Sequence, residues 1–166
     1  MDFIGALKDK EIKKLLPPAE IISASALVDK FNSVNKCQKR IILTTNVAIY
    51  NIAPTGFFAW LRGRLRRRIP YTSVSSLTVS RHGSEFVIHI SGEHDYRLSS
   101  KAHKLHLVQA ICKGYCSIFS TEMPCFYKDD IALIEYTTTS KDRKKGINRV
   151  PKEKPVMLNP DNILSS

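Results

Sequence analysis

The chain has 166 residues, 43% of them hydrophobic, with a formal net charge of +11. That length and apolar content support one domain with a real core and exclude a wholly disordered chain. Basic residues concentrate at positions 8–14, 30–40, 62–68 and 141–154, which points to phosphate-bearing partners such as lipid headgroups, nucleic acid or phosphoproteins.

Residues 1–16 place Phe3, Ile4, Leu7, Ile12, Leu15 and Leu16 at roughly helical spacing among lysines, until Pro17 and Pro18 stop the pattern. They predict a short amphipathic helix, docked on the body or touching lipid. Residues 21–34 read as a strand with a lead-in. Residues 40–45 (RIILTT) and 47–52 (VAIYNI) read as two β-branched strands around a tight Thr45-Asn46 turn. Residues 54–65 are expected to form a long loop marked by Gly56 and Gly63, and 67–71 a short strand. Val74, Leu77 and Val79 belong to the next strand, His82-Gly83-Ser84 is a turn, and residues 85–91 (EFVIHIS) alternate most clearly. A turn at 92–95 and a strand at 96–98 complete a hairpin. Ser99 or Ser100 then caps a helix to about Phe119, with Leu105, Val108, Ile111, Cys112, Tyr115 and Phe119 as its apolar stripe. Beyond it, residues 131–138 are expected to add a strand, 141–154 to form a basic arm, and 156–158 to return as an edge strand.

The segment 55–70, TGFFAWLRGRLRRRIP, sets Phe57, Phe58 and Trp60 directly before Arg62, Arg64, Arg66, Arg67 and Arg68. Anionic membranes take both parts, because rings enter the headgroup layer while cations sit over phosphates. The same residues also suit stacked single-stranded nucleic acid, a protein-docking loop, or, for Trp60, a place in the core. Arg67 and Arg68 flank a strand, so one of them is also a candidate for packing against the sheet or for guarding its edge.

Enzyme chemistry is poorly served. The sequence holds no P-loop, dinucleotide fingerprint, HExxH or nucleophile-elbow pattern. His103 and His106 are three apart, but no carboxylate or cysteine sits one turn away to finish a metal site. Cys37, Cys112, Cys116 and Cys125 have no staple or metal spacing and read as reduced thiols of a cytosolic protein. No apolar run approaches the about 18 residues of a spanning helix, and no signal peptide is visible, so membrane contact is expected at the surface. Neither metal nor cofactor is expected.

Residues 29–52, DKFNSVNKCQKRIILTTNVAIYNI, resemble the start of the tail homology 1 domain of class I myosins. A basic first strand leads there through a short loop into a KR-apolar-apolar-Leu-Thr strand and an Ala-apolar-Tyr strand. The resemblance continues at Arg67-Arg68-Ile69-Pro70, at 74–80 and 85–90, at DYRLSS (95–100) with its helix, and at Lys144-Lys145-Gly146. About two thirds of the chain is covered. The resemblance implies a pleckstrin-homology-like fold: a bent seven-stranded antiparallel barrel capped by a C-terminal amphipathic helix. On this reading residues 1–18 are an N-terminal segment, 19–120 the core, and 121–166 an extension. It also implies binding of anionic phospholipids, chiefly phosphoinositides, at the cytoplasmic face of membranes, coupled to the cytoskeleton. Carried over, the headgroup site selects Lys30, Lys36, Lys39 and Arg40. The spaced Lys-x-Arg of many such folds is replaced by adjacent Lys39-Arg40, and only one of an adjacent pair on a strand points toward a ligand, so charge-dominated binding with limited discrimination is expected. A protein-interaction module of a cytoskeletal or signalling complex is the alternative, followed by RNA binding.

Overall fold

The computed structural model of the chain describes residues 1–32, 36–54, 63–129 and 156–157. A short helix α1 (Lys10–Lys14) precedes four strands, β1 (Ile22–Phe31), β2 (Cys37–Thr45), β3 (Ala48–Pro54) and β4 (Gly63–Pro70). A 3-10 turn (Tyr71–Ser73) leads to β5 (Val74–Ser80), β6 (Glu85–Ile90) and β7 (Tyr96–Ser99), then α2 (Lys104–Phe119), β8 (Pro124–Lys128) and β9 (Val156–Met157). Thr45 ends β2 by turning its side chain back: its Oγ1 accepts from the N–H groups of Val47 (3.2 Å) and Ala48 (3.0 Å). Asn46 Oδ1 accepts from Ile21 N–H at 2.9 Å, tying this hairpin to the entry of β1.

The expected bent seven-stranded antiparallel barrel is not what forms. The strands make one nine-stranded sheet in the order β4-β3-β2-β1-β7-β6-β5-β8-β9, and its outer strands, β4 and β9, are not paired with each other. Closure would require β4 to meet β5. Pro70 ends β4 with no N–H to donate, and the 3-10 turn after it carries the chain away. Tyr71 is fully buried there, and its hydroxyl donates to the Thr45 carbonyl at 3.2 Å. The edge of β5 so released is taken by β8, which runs parallel to it from Leu77↔Cys125 to Ser80↔Lys128. The strand expected at 131–138 and the basic arm lie outside the described residues; β8, a five-residue run opening on Pro124, carried too short an alternation to be read.

Side chains of the sheet divide between two cores. Ala24, Ala26, Val28, Ile42, Ile49, Ile69 and Leu98 face inward toward α2 and β5–β6. Ile41, Leu43, Tyr50 and Ile52 face outward and are covered by Ala6 and Ile12 of the N-terminal segment. Asp9 caps α1 by accepting from Glu11 N–H (2.8 Å) and Ile12 N–H (2.9 Å), which aims Ile12 at the sheet. Burying a side chain of that size stabilises by about 1.5–3 kcal/mol.

The helix α2, which β8 and β9 follow in the chain and which is therefore not C-terminal as expected, starts later than its serines suggest. Ser100 accepts from His103 N–H through its hydroxyl (3.2 Å) and from Lys104 N–H through its carbonyl (3.2 Å), and the helix proper begins at Lys104. Its buried face holds Leu107, Val108, Ala110, Ile111 and Cys112. Leu105 and Phe119, assigned to that stripe from spacing, are 38% and 39% exposed. Gly114 lies against the Tyr71 ring so closely that a Cβ there would meet ring atoms at 2.3 Å. Gly114→Ala is therefore expected to destabilise the fold by about 1–3 kcal/mol through overpacking, read as a lowered melting temperature.

Candidate functional site: a cationic end of the inner face

Along β1–β4 the inward-facing rows begin apolar and finish polar. Val28 is followed by Lys30, Ile42 is preceded by Arg40, Ile49 is followed by Asn51, and Ile69 is preceded by Arg67. The register Val28↔Arg40, Lys30↔Gln38 and Asn51↔Arg67 brings these ends together across β1–β2 and β3–β4. Tyr96, on the same face of β7, is the floor: Lys30 Nζ lies 4.7 Å and Arg67 Cζ 5.2 Å from the centre of its ring. Two cations on one ring each gain from its quadrupole while repelling one another. Asn51 Nδ2 donates to the Tyr96 hydroxyl at 3.2 Å, and Asn51 Oδ1 is buried without a hydrogen-bond partner among the described residues.

Arg40 Nη1 donates to the Lys39 carbonyl and its Nη2 to Gln38 Oε1, both at 2.6 Å, so the guanidinium is held over the end of the row. The β3–β4 ladder passes from Asn51↔Arg67 to Ile52↔Leu65, leaving exposed Arg66 as the extra residue of a bulge. Burial, then the neighbouring Arg66 charge, lower the Arg40 pKa. Lys30 is lowered by burial and then by Arg40 and Arg67. Such shifts mark a surplus of positive charge held partly out of water.

The other predicted residues are distributed differently. Lys39 points to the opposite face, where its Nζ pairs with Asp29 Oδ1 at 2.7 Å and Cys37 Sγ donates to the same oxygen at 3.3 Å. Lys36 is exposed, and its N–H donates to Asn32 Oδ1 at 2.8 Å across the hairpin. Arg64 is exposed on β4. Arg68 also faces outward: Nη2 meets Glu20 Oε1 at 2.7 Å and Nε donates to the Tyr50 hydroxyl at 2.9 Å. Phe57, Phe58, Trp60 and Arg62 lie outside the described residues. Asn51, Glu93, His94 and Tyr96 join the cluster unanticipated. Following the period of two past Ile49 finds Asn51, but nothing local to Tyr96 or the 92–95 turn signals their meeting with β1 and β4.

Outward cations have carboxylate partners, as in Lys39–Asp29, Arg68–Glu20 and Arg97–Glu85 (2.7 Å). Of Lys30, Arg40 and Arg67, only Arg67 is ion-paired among the described residues, to Glu93. A depression of about 510 Å3 between the β5–β6 turn and α2, lined by His82, Lys101, Leu105 and His106, shares no residue with this cluster. The Lys104 ammonium beside it is occupied by the carbonyls of Ser80 (2.8 Å) and Gly83 (2.7 Å). His103 and His106 both meet the Phe3 ring, at 4.0 and 5.2 Å. Among the described residues no group of three metal-ligating side chains occurs, and no helix is long and apolar enough to cross a membrane. The four cysteines are free; Cys112 and Cys125 come within 3.8 Å, and that contact, with burial, pushes the Cys125 thiol far up, away from the nucleophilic thiolate.

A largely antiparallel sheet backed by the helix α2, with a cationic end to its inner face, is a pleckstrin-homology-like fold. The unconventional myosin tail family, actin- and lipid-binding, matches residues 2–156, and the chain belongs to that family. It is a family of binding modules and not of catalysts. The myosin IA heavy chain of Dictyostelium discoideum is 29% identical over 142 residues, covering 78% of this chain. The chain spans 14% of the length of that relative. The hSac2 domain of the human phosphoinositide phosphatase Sac2 shares the fold over 92% of this chain and 96% of that one, at 11% identity and a TM-score of 0.60. The linker and DH/PH domains of a RhoGEF superpose over 66% of this chain and 34% of theirs, at 12% identity and a TM-score of 0.50.

Two predictions test these charges. Burial alone would raise Glu20, but hydrogen bonds from Thr45, Arg68 and Tyr50 outweigh it and hold the carboxyl below its usual range. A carboxyl depressed on folding stabilises above its unfolded pKa, and that stability is lost as pH falls through the folded value. Arg68→Ala is thus expected to cost about 1–2 kcal/mol at neutral pH, modest because the arginine is 40% exposed, with the difference shrinking in acid. His94 is lowered by burial and then by Arg67 and Lys30. Removing one cation by Arg67→Gln should raise the His94 pKa, observed as an upward-shifted titration of its ring protons by NMR.

Proposed function

We propose that the chain is a peripheral membrane-binding module that takes the phosphate of an anionic lipid, a phosphoinositide in particular, between Lys30, Arg40 and Arg67. The carrying observation is that the core-facing rows of β1, β2 and β4 end in cations gathered about Tyr96, two of them without a carboxylate partner among the described residues. An incoming phosphate relieves their mutual repulsion and finds donors already held in place. Lys36 stands at the hairpin beside this end. Lys39 contributes long-range charge while bonded to Asp29 on the other face.

In sequence, the segment carrying Phe57, Phe58, Trp60 and Arg62 lies between β3 and β4, with Arg64 and Arg66 following it. On this reading the rings enter the headgroup layer and the arginines reach phosphates. At roughly 1 kcal/mol per basic residue near an anionic surface, three or four engaged cations contribute about 3–4 kcal/mol, and salt weakens the effect. The module then sits on the cytoplasmic face of a membrane, as the tail of a motor or as an adaptor, within reach of cytoskeletal partners.

Co-sedimentation with neutral, phosphatidylserine and phosphoinositide vesicles at two salt concentrations, with an RNA competitor in parallel, tests the proposal. Binding is expected to rise with anionic lipid and fall with salt. Lys30→Ala and Arg40→Ala should each weaken it about fivefold, and Lys39→Ala less. Absence of binding to anionic vesicles at low salt, or displacement by RNA alone, overturns the reading.

A further inference from the structure

We infer that Glu93 is a specificity-determining residue of this site, an internal anion that a headgroup must displace from Arg67, and that it selects phosphomonoester headgroups over singly charged lipids. The inference rests on the membrane reading above.

Arg67 is fixed and largely covered. Its side chain is 14% exposed, Nη1 donates to the His94 carbonyl at 3.4 Å, and the guanidinium lies over Tyr96 at 5.2 Å. Its remaining face is taken by the Glu93 carboxylate. Glu93 itself is 57% exposed and sits on the turn between β6 and β7, where Gly92 adopts φ 78°, a conformation costly for other residues. The pair thus joins a guanidinium held by the sheet to a carboxylate held by one turn. Nearby carboxylates have other duties. Asp95 Oδ2 is 3.1 Å from His89 Nδ1 and its Oδ1 accepts from Ile90 N–H at 2.8 Å, while Asp29 faces the other way with Lys39.

Any headgroup that reaches Arg67 exchanges one anion for another there. A phosphodiester or a serine carboxylate brings one charge and replaces one, so the exchange gains little. A phosphomonoester brings about 1.5 to 2 negative charges and three acceptor oxygens near neutral pH, and so outcompetes the carboxylate. Lys30 and Arg40, with no such internal anion among the described residues, accept either kind. Selectivity therefore resides in Glu93, which modifies the limited discrimination expected from charge alone.

The test compares wild type with Glu93→Gln on two vesicles of matched surface charge, one carrying phosphatidylserine and one carrying phosphatidylinositol 4,5-bisphosphate. Glu11→Gln on α1 is the control for the added positive charge. Glu93→Gln is expected to bind phosphatidylserine vesicles about fivefold more tightly with little gain on the phosphoinositide, so the ratio between them narrows. Soluble inositol trisphosphate in excess should bring wild-type binding on phosphoinositide vesicles down to its phosphatidylserine level, since the group recognised is the phosphomonoester and not the bilayer. An unchanged ratio, an equal gain on both vesicles as for Glu11→Gln, or selectivity that survives inositol trisphosphate overturns this inference and leaves the membrane reading standing. Failure of wild type to bind either vesicle overturns both.

Discussion

A strand gives every second side chain to the same face, and the inner face of β1–β4 is committed to the core as far as Val28, Ile42, Ile49 and Ile69. Everything distinctive about the site follows from what happens one step further. The rows continue past the aliphatic core, so Lys30, Arg40, Asn51 and Arg67 inherit inward positions where the Tyr96 ring is the floor beneath Lys30 and Arg67. Charges placed there are partly dehydrated and cannot turn away from one another, because the backbone that aims them is locked by the same ladder that builds the core. The repulsion is structural in origin, and on the membrane reading proposed above an arriving anion relieves it.

The outer face solves the opposite problem. There the N-terminal segment supplies Ala6 and Ile12 to cover Ile41, Leu43, Tyr50 and Ile52, and its following residue Glu20 fixes Arg68 at the rim. Arg67 and Arg68 are neighbours in sequence with contrary roles, one held over Tyr96 and the other bonded to Glu20. The β3–β4 bulge at Arg66 adds a third orientation within three residues. An arginine run thus serves the sheet's own stability and its charged end at once.

Much of the strand order was legible because alternation is a local signal. The RIILTT and EFVIHIS runs, the Thr45-Asn46 turn and the late helix all show it. The failure of closure was not legible, since the edge of β5 is taken by β8, a pairing between segments far apart in sequence. The helix stripe was misplaced for a related reason: spacing allows several overlapping apolar faces, and only the sheet chose Leu107 over Leu105. At the site, the basic character of 30–40 was visible, but the division of Lys39 from Arg40 needed a register, and Glu93 needed the tertiary meeting of the β6–β7 turn with β4.

The parallel strand β8 has a consequence for where this fold can be divided. It enters the sheet after the helix and covers the N–H and C=O groups that β5 would otherwise present, while Met123 and Cys125 complete the inner core. A chain cut after Ser120 keeps the helix and all seven preceding strands, yet it exposes a bare backbone edge on β5 flanked by uncovered apolar side chains. Such an edge is a template for strands of other molecules. A truncation drawn at the helix that ends a simple pleckstrin-type core is therefore expected to be an aggregation hazard.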